Sequence, residues 1–187
     1  MADRPVAGEV PPGWKVLIAR QAIRERVAEM GREITVGSGP EPLLVVAILK
    51  GAFVFAADLV RNLGVPLTMD FMAVSSYGDA TRTTGVVRIV KDLDQAIEGR
   101  DVLLVEDIVD TGLTLRYLQR TLSGRGVRRL RTAVLLDKPS RRLADVRVDY
   151  VGFAIPDRFV VGYGLDAGEL HRQHPDVLCA DDGEDER

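Results

Sequence analysis

The sequence predicts an α/β fold with a central, mostly parallel sheet flanked by helices. Three observations carry that prediction. Apolar runs of strand length at 43–49, 102–105 and 130–136 have the composition of strands covered on both faces. Between strands stand stretches with apolar residues three and four apart, the period of a helix with one buried face. The 187 residues suffice for one such domain, with room for a small appendage built from the two ends.

Taken in order, residues 1–14 read as a flexible arm, punctuated by Pro5, Gly8, Pro11, Pro12 and Gly13. Ile23, Val27, Met30 and Ile34 then line one face of a helix over 21–34. The strand 43–49 runs into Lys50-Gly51 and a helix over 52–63, which stops near Gly64. A strand follows at 67–74. Residues 75–85 are polar, with two glycines and several threonines, and predict a long mobile loop. The strand 86–90 is expected to pair with the segment before that loop. Next come the strand 102–105, a turn at 110–112 and a helix over 113–122. Strands at 130–136 and 150–154 and short ones at 160–161 and 177–178 complete the pattern. The acidic stretch 180–187 predicts a disordered tail, so a single domain spans 15–179.

Composition narrows the function classes. The net charge of −3 gives no general basic surface, which argues against nucleic acid or membrane as a partner. Arg128, Arg129 and Arg131 are expected to be solvated on a loop entering a strand, and Arg141 and Arg142 likewise. Cys179 is the only cysteine, so no internal disulfide forms, and a buried thiol is expected. No signal peptide or apolar run of spanning length occurs, which places the protein in the cytoplasm. His171 and His174 have no Cys or further His nearby, and zinc is not expected.

The chemistry concentrates in Val102-Leu-Leu-Val-Glu-Asp-Ile-Val-Asp-Thr-Gly-Leu-Thr-Leu115. Glu106 and Asp107 stand at the carboxyl end of a buried strand, where open α/β sheets place their ligands. Beyond them the turn Asp110-Thr111-Gly112 opens a helix. Its free backbone N–H groups, with the Thr111 and Thr114 hydroxyls, make an anion pocket. Carboxylates beside a phosphate cradle repel the phosphate unless they bind sugar hydroxyls and a divalent cation. That combination points to a phosphorylated sugar with magnesium.

This segment resembles the ribose-phosphate signature of the type I phosphoribosyltransferases, which bind 5-phosphoribosyl 1-diphosphate (PRPP). It does not resemble a P-loop, since no G-x-x-x-x-G-K-[ST] occurs. Four further segments resemble the hypoxanthine-guanine branch, bacterial type, in that family's order. Leu49-Lys50-Gly51-Ala52 resembles its pyrophosphate loop, in which the Leu-Lys peptide can be cis. Asp70-Phe-Met-Ala-Val-Ser-Ser-Tyr-Gly78 resembles the start of its lid, with Ser75, Ser76, Tyr77 and Gly78. Leu136-Asp137-Lys138-Pro139 and Ile155-Pro-Asp-Arg-Phe-Val-Val-Gly-Tyr-Gly-Leu-Asp166 resemble its base-binding and late metal segments. The resemblance covers about residues 16–178.

It implies the type I phosphoribosyltransferase fold, with a small hood from about 15–40 and 155–179. It implies Mg2+-dependent purine salvage, joining hypoxanthine or guanine to PRPP to give IMP or GMP and pyrophosphate. Glu106, Asp107, Asp110, Thr111, Gly112, Leu113 and Thr114 would bind PRPP, the two leading acids on the ribose hydroxyls. Asp110 would also be the general base near purine N7, in competition with a helix N-cap role. Lys50, Gly51 and Arg172 would receive pyrophosphate. Lys138 would contact the 6-oxo group, Phe159 would stack on the ring and Val160 would offer its backbone to the base edge. Glu106, Asp107 and Asp166 would hold the metal. A homo-oligomer, dimer or tetramer, is the family's usual state. Leu113 stands where some relatives carry lysine, and Ala167-Gly168 replaces an Asp-Tyr-type continuation, which leaves one wall of the pyrophosphate site open. The alternatives are a PRPP-sensing regulatory protein of the same fold, or a transferase preferring xanthine.

Overall fold

The computed structural model describes residues 10–77 and 86–181. Six strands form the main sheet: β2 (Leu43–Leu49), β3 (Leu67–Tyr77), β4 (Val86–Lys91), β5 (Asp101–Val109), β6 (Arg129–Asp137) and β7 (Tyr150–Ala154). Their spatial order is β4-β3-β2-β5-β6-β7, parallel throughout except for the antiparallel edge pair β3/β4. Period-two alternation decides which side chains face which layer. Leu43, Val45, Ala47, Leu103 and Val105 pack on one face beside α1 (Arg20–Val36) and α2 (Phe53–Val60). Leu44, Val46, Val102 and Leu104 pack on the other against α3 (Leu113–Ser123), through Leu115, Leu118 and Leu122. Both faces being covered explains why the central strands read as unbroken apolar runs. Each of the three α3 leucines contributes about 1.5–3 kcal/mol by leaving water.

The two ends of the chain meet in a second, antiparallel sheet of order β1-β9-β8, formed by β1 (Trp14–Ile18), β9 (Val177–Ala180) and β8 (Val160–Val161). Trp14, read from the sequence as part of the arm, opens β1. Ala180, read as the start of the tail, closes β9. Arg20 at the head of α1 clamps this sheet to the body, because its guanidinium and backbone N–H both donate to the buried Asp176. Cys179 is fully buried in β9.

Two strands run further than the apolar runs predict. β5 continues through Ile108 and Val109, which pair with Leu136 and Asp137, so Glu106 and Asp107 lie inside the strand. Their ladder bonds and β-branched neighbours outweigh the local charge. β3 continues through Ser75, Ser76 and Tyr77, opposite Arg88, Val87 and Val86, so these three are strand residues and not loop. Gly78 and the rest of the expected lid lie outside the described residues.

Two arginines expected in solvent, Arg131 and Arg142, are instead largely buried, while Arg128 and Arg129 are exposed as expected but ion-paired. Arg131 is buried and donates to the Tyr150 hydroxyl at 2.9 Å and to Ser38 Oγ at 3.0 Å. Arg128 and Arg129 grip the buried Asp101, at 2.8 and 2.9 Å, and hold its carboxyl below the usual range. Arg142 is mostly buried against Asp137. Asp101 and Ser38 reach their arginines from distant parts of the chain, whereas Asp137 lies at the end of the strand just before Arg142. No described helix is long and apolar enough to cross a membrane.

Candidate active site

The site is built around the carboxyl ends of β2, β5 and β6. β5 delivers Glu106, 8% exposed, and Asp107 beside it. Burial first, and then the neighbouring Asp107 charge, push the Glu106 carboxyl well above its usual range. Burial likewise pushes Asp107 up to about 6, partly offset by a backbone N–H from Ile108 at 2.7 Å. One buried and one half-buried carboxylate side by side repel each other. The residue types and their neighbourhood therefore suit a divalent cation.

The turn after β5 is held by long-range contacts. Gly112 is the N-cap of α3 at φ +80°, a conformation glycine adopts without penalty. Gly112 has no side chain to cap α3, and it is Thr111 Oγ1 that accepts the Leu113 N–H, at 3.4 Å, so Asp110 does not serve as its N-cap. Instead Asp110 Oδ1 accepts from Arg141 Nε at 3.0 Å, and its carbonyl accepts from Arg142 at 3.2 Å. The Thr111 carbonyl accepts from the N–H groups of Leu143 and Ala144, at 2.9 and 3.0 Å. Glu106, Asp107, Asp110, Thr111, Gly112 and Thr114 line a cavity of about 180 Å³ at the α3 N-terminus. Leu113, the first residue of α3, sits instead on a neighbouring surface hollow with Tyr117.

A second cavity, about 420 Å³, brings Glu106, Asp107 and Thr114 together with Leu49, Gly51 and Asp166. The Leu49-Lys50 peptide is cis. A Cβ on Gly51 would overlap the Asp107 carboxylate, so only glycine lets the loop lie on that acid. Asp166 binds Arg172 at 2.8 Å and accepts the Glu169 N–H at 2.8 Å. Among the described residues no three His, Cys, Asp or Glu side chains are grouped to hold a metal by themselves. A cation here needs oxygens from a ligand as well, the habit of magnesium in phosphate sites.

Glu169 went unnoticed in the sequence and proves central. It bridges Lys50 at 2.9 Å and Arg172 at 3.2 Å, and the Lys50 ammonium, then Arg172, hold its carboxyl below the usual range. Arg172 also donates to the Gly164 carbonyl at 2.8 Å, while its buried Nε has no protein partner. Lys50 and Arg172 are thus brought together, through an acid that no motif in the sequence singles out. A larger cavity of about 580 Å³ lies between α1, α2 and residues 172–175, away from the β5 acids.

On the far side, Lys138 follows β6 and is 7% exposed, with Asp157 at 3.6 Å. Phe159 is 60% exposed and Val160 is buried in β8 opposite Cys179. The only tryptophan, Trp14, meets Phe159 with ring centroids 6.3 Å apart and His171 at 5.6 Å. Arg141, expected in solvent, joins Asp110 to Asp157.

With this geometry in place, comparison with known proteins decides the family. The sequence model described as "Phosphoribosyl transferase domain" matches residues 13–167. The chain belongs to the phosphoribosyltransferase family. The hypoxanthine-guanine phosphoribosyltransferase of Bacillus subtilis is 49% identical over 161 residues, covering 86% of this chain and 89% of its own. That of Mycobacterium avium is 52% identical over 172 residues, covering 88% and 85%. The crystal structure of a hypoxanthine phosphoribosyltransferase from Staphylococcus aureus matches at TM-score 0.86 and 45% identity, over 89% of this chain and 90% of that one. The mostly parallel sheet and flanking helices of this phosphoribosyltransferase are therefore the type I fold.

Proposed function

We propose that this phosphoribosyltransferase joins hypoxanthine or guanine to PRPP, releasing the purine nucleoside monophosphate and pyrophosphate. The observation that carries the reading is the meeting of buried Glu106, half-buried Asp107, the α3 N-terminus and the 49–51 loop around adjoining cavities. A phosphorylated ribose bearing a pyrophosphate needs each of those parts.

The backbone N–H groups at 111–114, with the Thr111 and Thr114 hydroxyls, bind the 5′-phosphate. Glu106 and Asp107 accept hydrogen bonds from the ribose 2′ and 3′ hydroxyls. When bound by Glu106, Asp107 and Asp166, Mg2+ supplies charge neutralisation for the departing pyrophosphate. Lys50, the Gly51 backbone and Arg172 receive that pyrophosphate, which requires Lys50 and Arg172 to exchange Glu169 for phosphate oxygens. Lys138 donates to the 6-oxo group of the purine, a contact that a 6-amino group cannot accept. Phe159 stacks on the ring and Val160 presents its backbone to the base edge. Asp110 exchanges Arg141 for the purine N7 proton and acts as general base while N9 attacks the ribose C1. A lid beginning at Ser75, Ser76, Tyr77 and Gly78 shields the developing ribosyl cation from water. The reaction belongs in the cytoplasm, and the active form is a homo-oligomer, dimer or tetramer.

The test is nucleotide formation from PRPP and Mg2+ with hypoxanthine, guanine, xanthine, adenine or uracil offered singly. Turnover of hypoxanthine or guanine, with adenine and uracil inert, is expected. PRPP binding without turnover of any base would favour a regulatory protein, and turnover of xanthine alone would move the specificity.

A further inference from the structure

We infer that Asp157 is a positioning residue for purine recognition, coupling the 6-oxo lysine to the general base through Arg141; this rests on the function proposed above. Four alternating charges run in a line. Lys138 Nζ lies 3.6 Å from Asp157 Oδ1, Arg141 Nη1 donates to Asp157 Oδ2 at 3.3 Å, and Arg141 Nε donates to Asp110 Oδ1 at 3.0 Å. Among the described residues Asp157 is the one acid within ion-pair reach of Lys138.

The distances assign distinct duties. At 3.6 Å, Asp157 attracts the Lys138 ammonium without consuming one of its hydrogen-bond donors. Lys138 is nearly buried, and its backbone N–H is fixed on the Val109 carbonyl at 2.9 Å. Its stem is thus anchored at the end of β5, while Asp157 decides where the ammonium points. Asp157 sits in a tight turn, with the Arg158 N–H on the Pro156 carbonyl at 2.8 Å, two residues before Phe159. The loop that carries the stacking ring therefore carries the acid that aims the lysine.

Arg141 gives the line its second consequence. It is shared between Asp110 and Asp157. A purine whose N7 proton approaches Asp110 displaces Arg141, and Asp157 is the acid that keeps it. Without Asp157, Arg141 has only Asp110 to hold, so it competes with the purine for the general base. Losing Asp157 therefore weakens purine binding twice, at the 6-position and at N7, and leaves the PRPP contacts alone.

The experiment is steady-state kinetics of the full chain and of Asp157→Asn and Asp157→Glu, varying hypoxanthine and PRPP separately, with melting temperatures recorded. Asp157→Asn is expected to raise the hypoxanthine KM about three- to fivefold, the upper range for a half-exposed ion pair, while the PRPP KM changes less than about twofold. Asp157→Glu is expected to restore most of the loss. Equal rises in both KM values, or an unchanged hypoxanthine KM, would overturn the inference. Absence of turnover by the unsubstituted chain would overturn the functional reading itself, and the inference with it.

Discussion

At the scale of single residues, the site holds charges in arrangements that the folded chain alone does not favour. Asp107 shows the cost most clearly, because burial raises its folded pKa to about 6, against about 3.9 for an unfolded aspartate. The unfolded chain loses this proton first, so stability falls as pH rises between those values and stays lowered above about pH 6. Asp107→Asn removes that penalty and the repulsion on Glu106. In the absence of Mg2+ and PRPP its melting temperature should exceed the wild type's above about pH 6, by up to ~3 kcal/mol of stability, and match it below about pH 4. Thermal melts across pH check this, and a less stable variant at neutral pH would contradict it. Little of this residue scale was legible beforehand. Glu106, Asp107 and Asp110 stood out because three acids precede a helix start within five residues. Glu169, Arg141 and Arg142 did not, because their partners Lys50, Asp110 and Asp137 meet them only in the fold.

At the scale of elements, the β5–α3 turn joins fold to function. Its backbone is fixed by Gly112 at φ +80° and by the 142–144 segment packed over it. A Cβ on Gly112 would meet the Ala144 carbonyl and the Arg142 side chain, both at 3.1 Å. Gly112→Ala should therefore cost at least ~1 kcal/mol in denaturant unfolding and weaken PRPP binding, because the amides proposed to cradle the phosphate shift together. Unchanged stability and affinity would show that the turn is not strained by a side chain. β2, β5, β6 and the helices were readable from apolar runs and periodicity. The ends of β3 and β5 were not, because Ser75 to Tyr77 and Glu106 to Val109 are held by ladder partners and not by their own composition. β1 was missed for a related reason. Its five mixed residues become a strand only by pairing with β9, at the opposite end of the chain.

At the scale of the whole molecule, the small terminal sheet is tied to the body by the pair of Arg20 and Asp176. The Arg20 hydrogen bonds hold the Asp176 carboxyl below its usual range despite burial. A carboxyl with a lowered folded pKa contributes stability above its unfolded value, about 3.9, and that contribution disappears as pH falls through the folded value. Asp176→Asn should therefore lower the melting temperature at neutral pH and converge on the wild type in acid, and a constant difference at all pH values would contradict the assignment. This clamp matters for function because β8 of the same sheet carries Val160, next to Phe159, while Trp14 of β1 packs against that ring. On the proposed reading, the purine contacts Phe159 and Val160 come with the terminal sheet, and Lys138 comes from the end of β6. These parts meet at Asp110, which lies in the turn before α3 and is linked through Arg141 to Asp157, the partner of Lys138. The most direct test is single-turnover nucleotide formation by Asp110→Asn with saturating PRPP, Mg2+ and hypoxanthine, alongside PRPP affinity. The expected result is a loss of at least about 100-fold in the chemical step with PRPP affinity changed only a few-fold; near-normal turnover would contradict the account.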